Sequence, residues 1–138
     1  MTKKSIASLL IALAFVCIPA HAEKKGQVGA SAAYQFDNHS FMVQGRYVKQ
    51  ISNITYIAPA ISYDFDLEEL VLDVDFHIKN PGTRYYGIGG INYGDSEAGM
   101  NIGMGMHFNY SEKIKGFSEI KYIFIGWSGA VLNAGFYF

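Results

Sequence analysis

Leu132-Asn133-Ala134-Gly135-Phe136-Tyr137-Phe138 alternates without a break. Successive side chains of a strand point to opposite sides. Leu132, Ala134, Phe136 and Phe138 therefore share one face, and Asn133, Gly135 and Tyr137 the other. An apolar face that ends on an aromatic residue suits a closing strand whose outer side meets lipid and whose tip sits at an interface. The expectation is a small barrel built to be closed by this strand.

Working outward, the same period of two recurs through most of the chain and predicts seven more strands. Residues 26–37 set Val28, Ala30, Ala32, Tyr34 and Phe36 against Gln27, Gly29, Ser31, Ala33 and Gln35. Asp37-Asn38-His39-Ser40 carries turn chemistry. Residues 41–50 set Phe41, Val43, Gly45 and Tyr47 against Gln44, Arg46 and Gln50. In 55–65, Ile57, Pro59, Ile61, Tyr63 and Phe65 share a face, and Pro59, which donates no ladder hydrogen bond, predicts a bulge. Leu70, Leu72, Val74, Phe76 and Ile78 then alternate with Val71, Asp73, Asp75, His77 and Lys79. Asn80-Pro81-Gly82 is a tight turn. Residues 84–94 are glycine-rich and their facing is ambiguous; Tyr85, Gly87, Gly89, Ile91 and Tyr93 are assigned outward. Met100, Ile102, Met104, Met106, Phe108 and Tyr110 oppose Asn101, Gly103, Gly105, His107 and Asn109. In 117–126, Ser118, Ile120, Tyr122 and Phe124 oppose Glu119 and Lys121. The predicted fold class is all-β: an eight-stranded antiparallel up-and-down transmembrane β-barrel after an N-terminal signal peptide.

The signal peptide is expected at 1–22 and the barrel at 23–138. Lys3 and Lys4 precede a mostly apolar run from Ser5 to Cys17, and Ala20 and Ala22 occupy the positions that a signal peptidase reads. The run is shorter than the ~20 residues of a spanning helix. Cys17 is the single cysteine, so disulfide and thiol chemistry would leave with this segment. All 12 acidic residues lie beyond it but two of the 11 basic ones do not, so the mature chain is acidic, which speaks against a nucleic-acid partner.

Alternation alone does not say which face is outside. Three features favour lipid outside. The polar face is rich in Gly, Ala, Ser and Asn and carries opposed charges, expected to form a lumen network of Arg46, Asp64, Asp73, Asp75, His77, Lys79, Arg84, Glu119 and Lys121. Unpaired charges in a narrow lumen would be costly. Aromatic residues sort by height, as interface girdles require. One level takes Tyr34, Phe36, Phe41, Tyr63, Phe65, Tyr93 and Trp127; the other takes Tyr47, Phe76, Tyr85, Phe108, Tyr110, Phe117, Phe136 and Phe138. The strands also have the length of a tilted crossing, ~10 residues.

From Tyr86-Gly87-Ile88-Gly89-Gly90 through 100–108 and 117–122 to 132–138, the chain resembles the C-terminal half of small outer-membrane β-barrels of the opacity-protein and OmpA-transmembrane-domain type. Asn133-x-Gly135-Phe136-x-Phe138 resembles the assembly signal of that class. The resemblance implies residence in the outer membrane of a Gram-negative cell, contact with membrane lipid and lipopolysaccharide, and recognition by the barrel-assembly machinery. The connections are short, which argues against a role carried by long surface loops.

No cofactor, metal site or catalytic residue is expected. His77 with Asp73 and Asp75 lies on one strand face, and residues two apart do not converge on one ion without ligands from elsewhere. Met100, Met104 and Met106 share a face with Ile102 and Phe108 and suit apolar bulk. Gly87-Ile88-Gly89-Gly90 lacks the helix and Lys-Ser/Thr of a phosphate loop. The acids of the upper connections could bind divalent ions shared with lipopolysaccharide phosphates, or form a plain solvated rim. The expected function is non-enzymatic: envelope structure or surface interaction, with at most a narrow porin-like pore. Two alternatives stay open. One is an enzyme acting on lipid A, for which His39-Ser40 near Asp37, or His107 with Ser111 and Glu112, would supply the groups. The other is a soluble periplasmic barrel binding a hydrophobic ligand.

Overall fold

Each alternating run becomes one strand. The order is β1 (Gly26–Gln35), β2 (Ser40–Gln50), β3 (Thr55–Asp64), β4 (Glu69–Ile78), β5 (Tyr85–Gly94), β6 (Glu97–Asn109), β7 (Lys115–Phe124) and β8 (Gly129–Tyr137). The computed structural model describes residues 26–94, 97–124 and 128–138. The expected signal segment with Ala20 and Ala22, together with Lys24, Lys25, Asp95 and Trp127, lies outside the described residues.

Neighbouring strands pair antiparallel in sequence order, and β8 returns to β1, closing the barrel. The closing ladder runs from Gly29 opposite Tyr137 to Gln35 opposite Val131. It is extended at both ends: Phe138 N donates to Val28 O at 2.8 Å and Phe36 N to Ala130 O at 3.0 Å. Closure leaves no sheet edge with unpaired backbone groups.

Every ladder keeps one offset from end to end. The bulge expected at Pro59 is therefore not formed. Pro59 pairs in register with Val74, and on its other side the offset is the same before and after it. What its missing N–H costs is local: pairing with β2 lapses between Arg46–Ala60 and Lys49–Ile57 and then resumes unshifted.

The turns use the chemistry the sequence offers. Gly82 takes φ 82° behind Pro81, and Thr83 N donates to Asn80 O at 3.3 Å, a tight turn with Pro and Gly in its two central places. Ser52 Oγ accepts from Thr55 N at 3.1 Å, and Ser111 Oγ from Ile114 N at 3.1 Å, closing two connections at the same end.

With this register fixed, the period of two sorts the faces. Val28, Ile91, Ile102, Met104, Ile120 and Leu132 stand exposed on the outer wall, while Gln44, Arg46, Asp73, Asp75, Glu119, Lys121 and Asn133 are buried inside. The ambiguous β5 settles with Tyr85, Gly87, Gly89, Ile91 and Tyr93 outward and Tyr86, Ile88 and Asn92 buried. Call upper the end that holds the β1–β2 connection. Tyr34, Phe36, Phe41, Tyr63, Phe65 and Tyr93 ring the wall near that end, joined by Tyr122 and Phe124. Phe65 stacks on Phe41 with ring centroids 6.0 Å apart and meets Tyr63 edge-on at 5.2 Å. The lower ring has Phe76, Tyr85, Phe108, Tyr110, Phe136 and Phe138. Phe117 does not belong to it. It is fully buried, because it shares the inward parity of Glu119 and Lys121.

Charge sorts by height as well. The upper connections and strand ends hold Asp37, Asp64, Asp66, Glu68, Glu69 and Glu97, with no lysine or arginine among the described residues. The lower ones hold Lys49, Lys79, Arg84, Lys113 and Lys115, against Glu112.

The lumen network as candidate functional site

The centre of the lumen is a bidentate ion pair. Arg46 on β2 donates to Glu119 on β7 across the bore, Nη1 to Oε1 at 2.5 Å and Nη2 to Oε2 at 2.8 Å. The planar fork fits the carboxylate, which makes this the strong form of such a pair. The remaining capacity is taken up around it. Tyr86 OH donates to Glu119 Oε1 at 2.7 Å, and Asn133 Nδ2 to Glu119 Oε2 at 3.3 Å. Gln44 Oε1 accepts from Arg46 Nη2 at 2.6 Å and from Asn133 Nδ2 at 3.0 Å. One layer higher, Lys121 Nζ donates to Asp75 Oδ2 at 2.8 Å and Asn101 Nδ2 to Asp75 Oδ1 at 3.0 Å. Gln44 Nε2 joins the layers by donating to Ser62 Oγ at 2.9 Å and Asp73 Oδ2 at 3.4 Å.

Glycines make room for this network. The register sets Gly29 opposite Arg46, Gly90 opposite Asp75, Gly103 opposite Lys121 and Gly105 opposite Glu119. Gly135 likewise stands opposite the buried Phe117. Each large inward side chain thus faces a position without one, and a Cβ at Gly103 would meet Lys121 Cα at 2.8 Å.

Above and below, the bore is stoppered. Ala33, Met42, Ile123 and Val131 form an apolar cluster above the charges. Below, Phe117 stacks on Tyr137 at 4.6 Å between centroids, with the Arg46 guanidinium 4.4 Å over the Phe117 ring. Tyr86 lies between His77 and His107, at 4.7 and 4.5 Å. Lumen cavities at the two levels measure about 60 Å³ and about 20 Å³.

Of the residues expected in the network, Arg46, Asp73, Asp75, Glu119 and Lys121 meet in these contacts. His77 is buried beside them, its Nε2 3.8 Å from Glu119 Oε1 and without a hydrogen-bond partner. Three expected members stand apart. Asp64 is buried, but its Oδ1 accepts from Asp66 N at 2.9 Å and Leu67 N at 3.0 Å, so it folds its own loop. Arg84 is exposed, because it precedes the first residue of β5 and the inward parity begins at Tyr86. Lys79 sits just beyond β4 and donates to His107 Nδ1 at 3.2 Å, away from the central carboxylates. Asn133, expected in an assembly signal, is a network member; Gly135 faces inward beside it, and Phe136 and Phe138 are exposed on the wall. Gln44, Tyr86, Asn101 and Tyr137 also belong to the network. Their inward parity was available, but charge alone did not point to neutral residues.

Other candidate chemistry is not assembled by the fold. His39, in a turn with φ 51°, pairs through Nδ1 with Tyr34 OH at 3.2 Å, while Ser40 is buried and donates to Gln35 Oε1 at 3.5 Å. Ser111 accepts from its own turn, and His107 is held by Lys79. Among the described residues, no group of three His, Cys, Asp or Glu is placed to hold a metal ion.

The fold and its filled lumen define a small, closed, eight-stranded antiparallel β-barrel. No protein-family model matches the chain, and no curated protein matches it in sequence. Solved structures do match in fold. A de novo designed transmembrane β-barrel aligns with a TM-score of 0.69 at 14% identity, over 82% of this chain and 92% of that one. A second designed barrel, TMB2.3, aligns at 0.63 and 16% identity, over 83% and 93%. The N-terminal β-barrel domain of Pseudomonas aeruginosa OprF aligns at 0.61 and 17% identity, over 82% and 96%. At these identities the likeness is one of architecture, and the closed eight-stranded barrel expected from the sequence is the architecture found.

Proposed function

We propose that the protein is a small integral outer-membrane β-barrel of a Gram-negative cell, non-enzymatic, acting in envelope structure or surface interaction. One observation carries this reading: the barrel is inside out. Its buried interior holds Arg46, Asp73, Asp75, Glu119 and Lys121, while its exposed wall carries Ile91 at 60%, Ile102 at 58% and Met104 at 65% exposure. Water-soluble monomers rarely expose contiguous apolar patches beyond a few hundred Å², and here the whole circumference is apolar between two aromatic rings. That is the pattern of a wall solvated by acyl chains. The same facing argues against a soluble barrel with a hydrophobic ligand inside, since the lumen is filled and charged. Membrane lipid is then the partner of the wall, with lipopolysaccharide at one rim.

The expected result is extraction only by detergent, with heat-modifiable migration on a gel. A detergent-free monomer in the periplasmic fraction would overturn the reading. The stoppered lumen further predicts that planar-bilayer recordings show no steady large conductance, because eight strands leave a bore that side chains fill. A stable porin-sized current would mean that the lumen opens.

Phe138 tests recognition by an assembly machinery. The residue is 70% exposed, and its backbone N–H, donating to Val28 O at 2.8 Å, survives substitution. Phe138→Ala is expected to lower the heat-modifiable fraction in membranes far more than it lowers the urea midpoint of purified barrel. Equal losses in both would count against an address role for this residue.

A further inference from the structure

At the lower end of the lumen, every strand contributes to the wall of one cavity of about 60 Å³. Its polar chemistry is one-sided. Lys79, Lys115, His77 and His107 line it together with Gln27 and the tyrosines, and no carboxylate does. Glu119 lies deeper, committed to Arg46, Tyr86 and Asn133. Lys79 donates to His107 Nδ1 at 3.2 Å, which leaves the Nε2 of a neutral His107 as the N–H donor. His77 Nε2 is buried without a hydrogen-bond partner, 3.8 Å from Glu119 Oε1, so His77 forms the floor of the cavity on the carboxylate side. Burial at the mouth, and secondly the neighbouring Lys115 ammonium, hold Lys79 below the ordinary lysine value. Outside the mouth, Lys49, Arg84 and Lys113 keep the approach positive against Glu112.

We infer that this lower vestibule is a binding site for a phosphate group, held between Lys79 and Lys115 with the imidazole of His107 beneath it. Charge and size select the ligand. Two ammonium groups and the His107 donor, with Glu119 already engaged by Arg46 deeper in the lumen, call for an anion rich in acceptors. The volume is that of about two waters, at ~30 Å³ each, which suits one tetrahedral oxyanion within the cavity. The surrounding cations would raise its local concentration. The phosphate can come from inorganic phosphate in solution or from a phospholipid headgroup at the lower rim.

The test uses the full chain, folded in a phosphate-free non-ionic detergent and titrated with inorganic phosphate at constant ionic strength. The imidazole resonances of His77 and His107 are followed by NMR. The expected result is a saturable shift of both, with affinity at least tenfold weaker when Lys79→Gln and Lys115→Gln are combined. Glu97→Gln, exposed at the opposite end of the barrel, should titrate like the parent. Heat-modifiable migration of each variant verifies that the barrel is folded, so a lost shift is not a lost fold. In a second arm, nanodiscs of phosphatidylglycerol are compared with nanodiscs of a phosphate-free glycolipid, without added phosphate. Shifts that appear in the phospholipid disc alone identify the headgroup as the source; their absence from both discs identifies free phosphate. Shifts that do not saturate, or that persist unchanged in the double variant, would overturn the site.

Discussion

Glu119→Ala is expected to destabilise the barrel by about 3–5 kcal/mol, the usual cost of removing one partner from a buried ion pair. The substitution leaves the Arg46 guanidinium in the lumen with no carboxylate, held by Gln44, Tyr137 and the face of Phe117, and strips Tyr86 OH of its acceptor. Urea unfolding of detergent-folded barrel, followed by the fluorescence of the single tryptophan, measures the loss. The double variant Arg46→Met, Glu119→Leu should recover most of it. Two apolar side chains of similar volume fill the same space with no charge to desolvate, and such replacements are often neutral or stabilising. The contrast between single and double variants is what identifies the pair as dry. If Glu119→Ala alone costs below about 1 kcal/mol, the value of a solvent-exposed pair, water reaches Arg46. The lumen would then be a hydrated channel, and the conductance expectation above would fall with it.

The network behind that prediction was only partly legible in the sequence. Strand count, order and facing followed from the period of two, because a side chain two residues along a strand must return to the same face. Where parity was applied consistently, as at Arg46, Asp73, Asp75, Glu119 and Lys121, the inward placement followed. Phe117 was assigned by its position near a strand end instead, although its parity with Glu119 already pointed inward. Arg84 and Lys79 have inward parity too, but both lie past the paired part of their strands, where the lumen opens to the rim. Asp64 has inward parity, but a carboxylate at the end of a strand can fold the following loop with its own oxygen, and it does so. Which cation meets which carboxylate was beyond the sequence. Arg46 and Glu119 are 73 residues apart, and their approach depends on the offset of every ladder between β2 and β7. Pro59 misleads for a related reason: it marks a missing donor, but the neighbouring strand can leave two successive pairs unmade without shifting register.

The same limit applies to the glycine-rich run of β5, where two neighbouring residues should respond oppositely to one added methyl group. Gly90→Ala is expected to cost about 1–3 kcal/mol, the range for overpacking a filled interior. A Cβ there would meet Asp75 Oδ1, Val74 O at 2.5 Å and Asp75 Cα at 2.9 Å. Two of these contacts are backbone and cannot swing aside. The third is the carboxylate that holds Lys121 at 2.8 Å and Asn101 at 3.0 Å, so the intrusion also displaces the upper layer of the network. Gly89→Ala should be neutral or stabilise the barrel by about 0.4–1 kcal/mol. Its Cβ would meet nothing within 4 Å, its backbone is not among the positive-φ positions, and alanine restricts the unfolded chain. The added methyl also points to the outer wall, where an apolar group meets acyl chains rather than water if the barrel lies in a bilayer. Unfolding midpoints of the two variants in lipid vesicles, against the parent, measure the difference. Equal losses at both positions would mean that β5 needs glycine for its backbone. The asymmetric result would mean that glycine is there because the opposite strand carries a charge, which makes the spacing of inward glycines part of the ion-pair network itself.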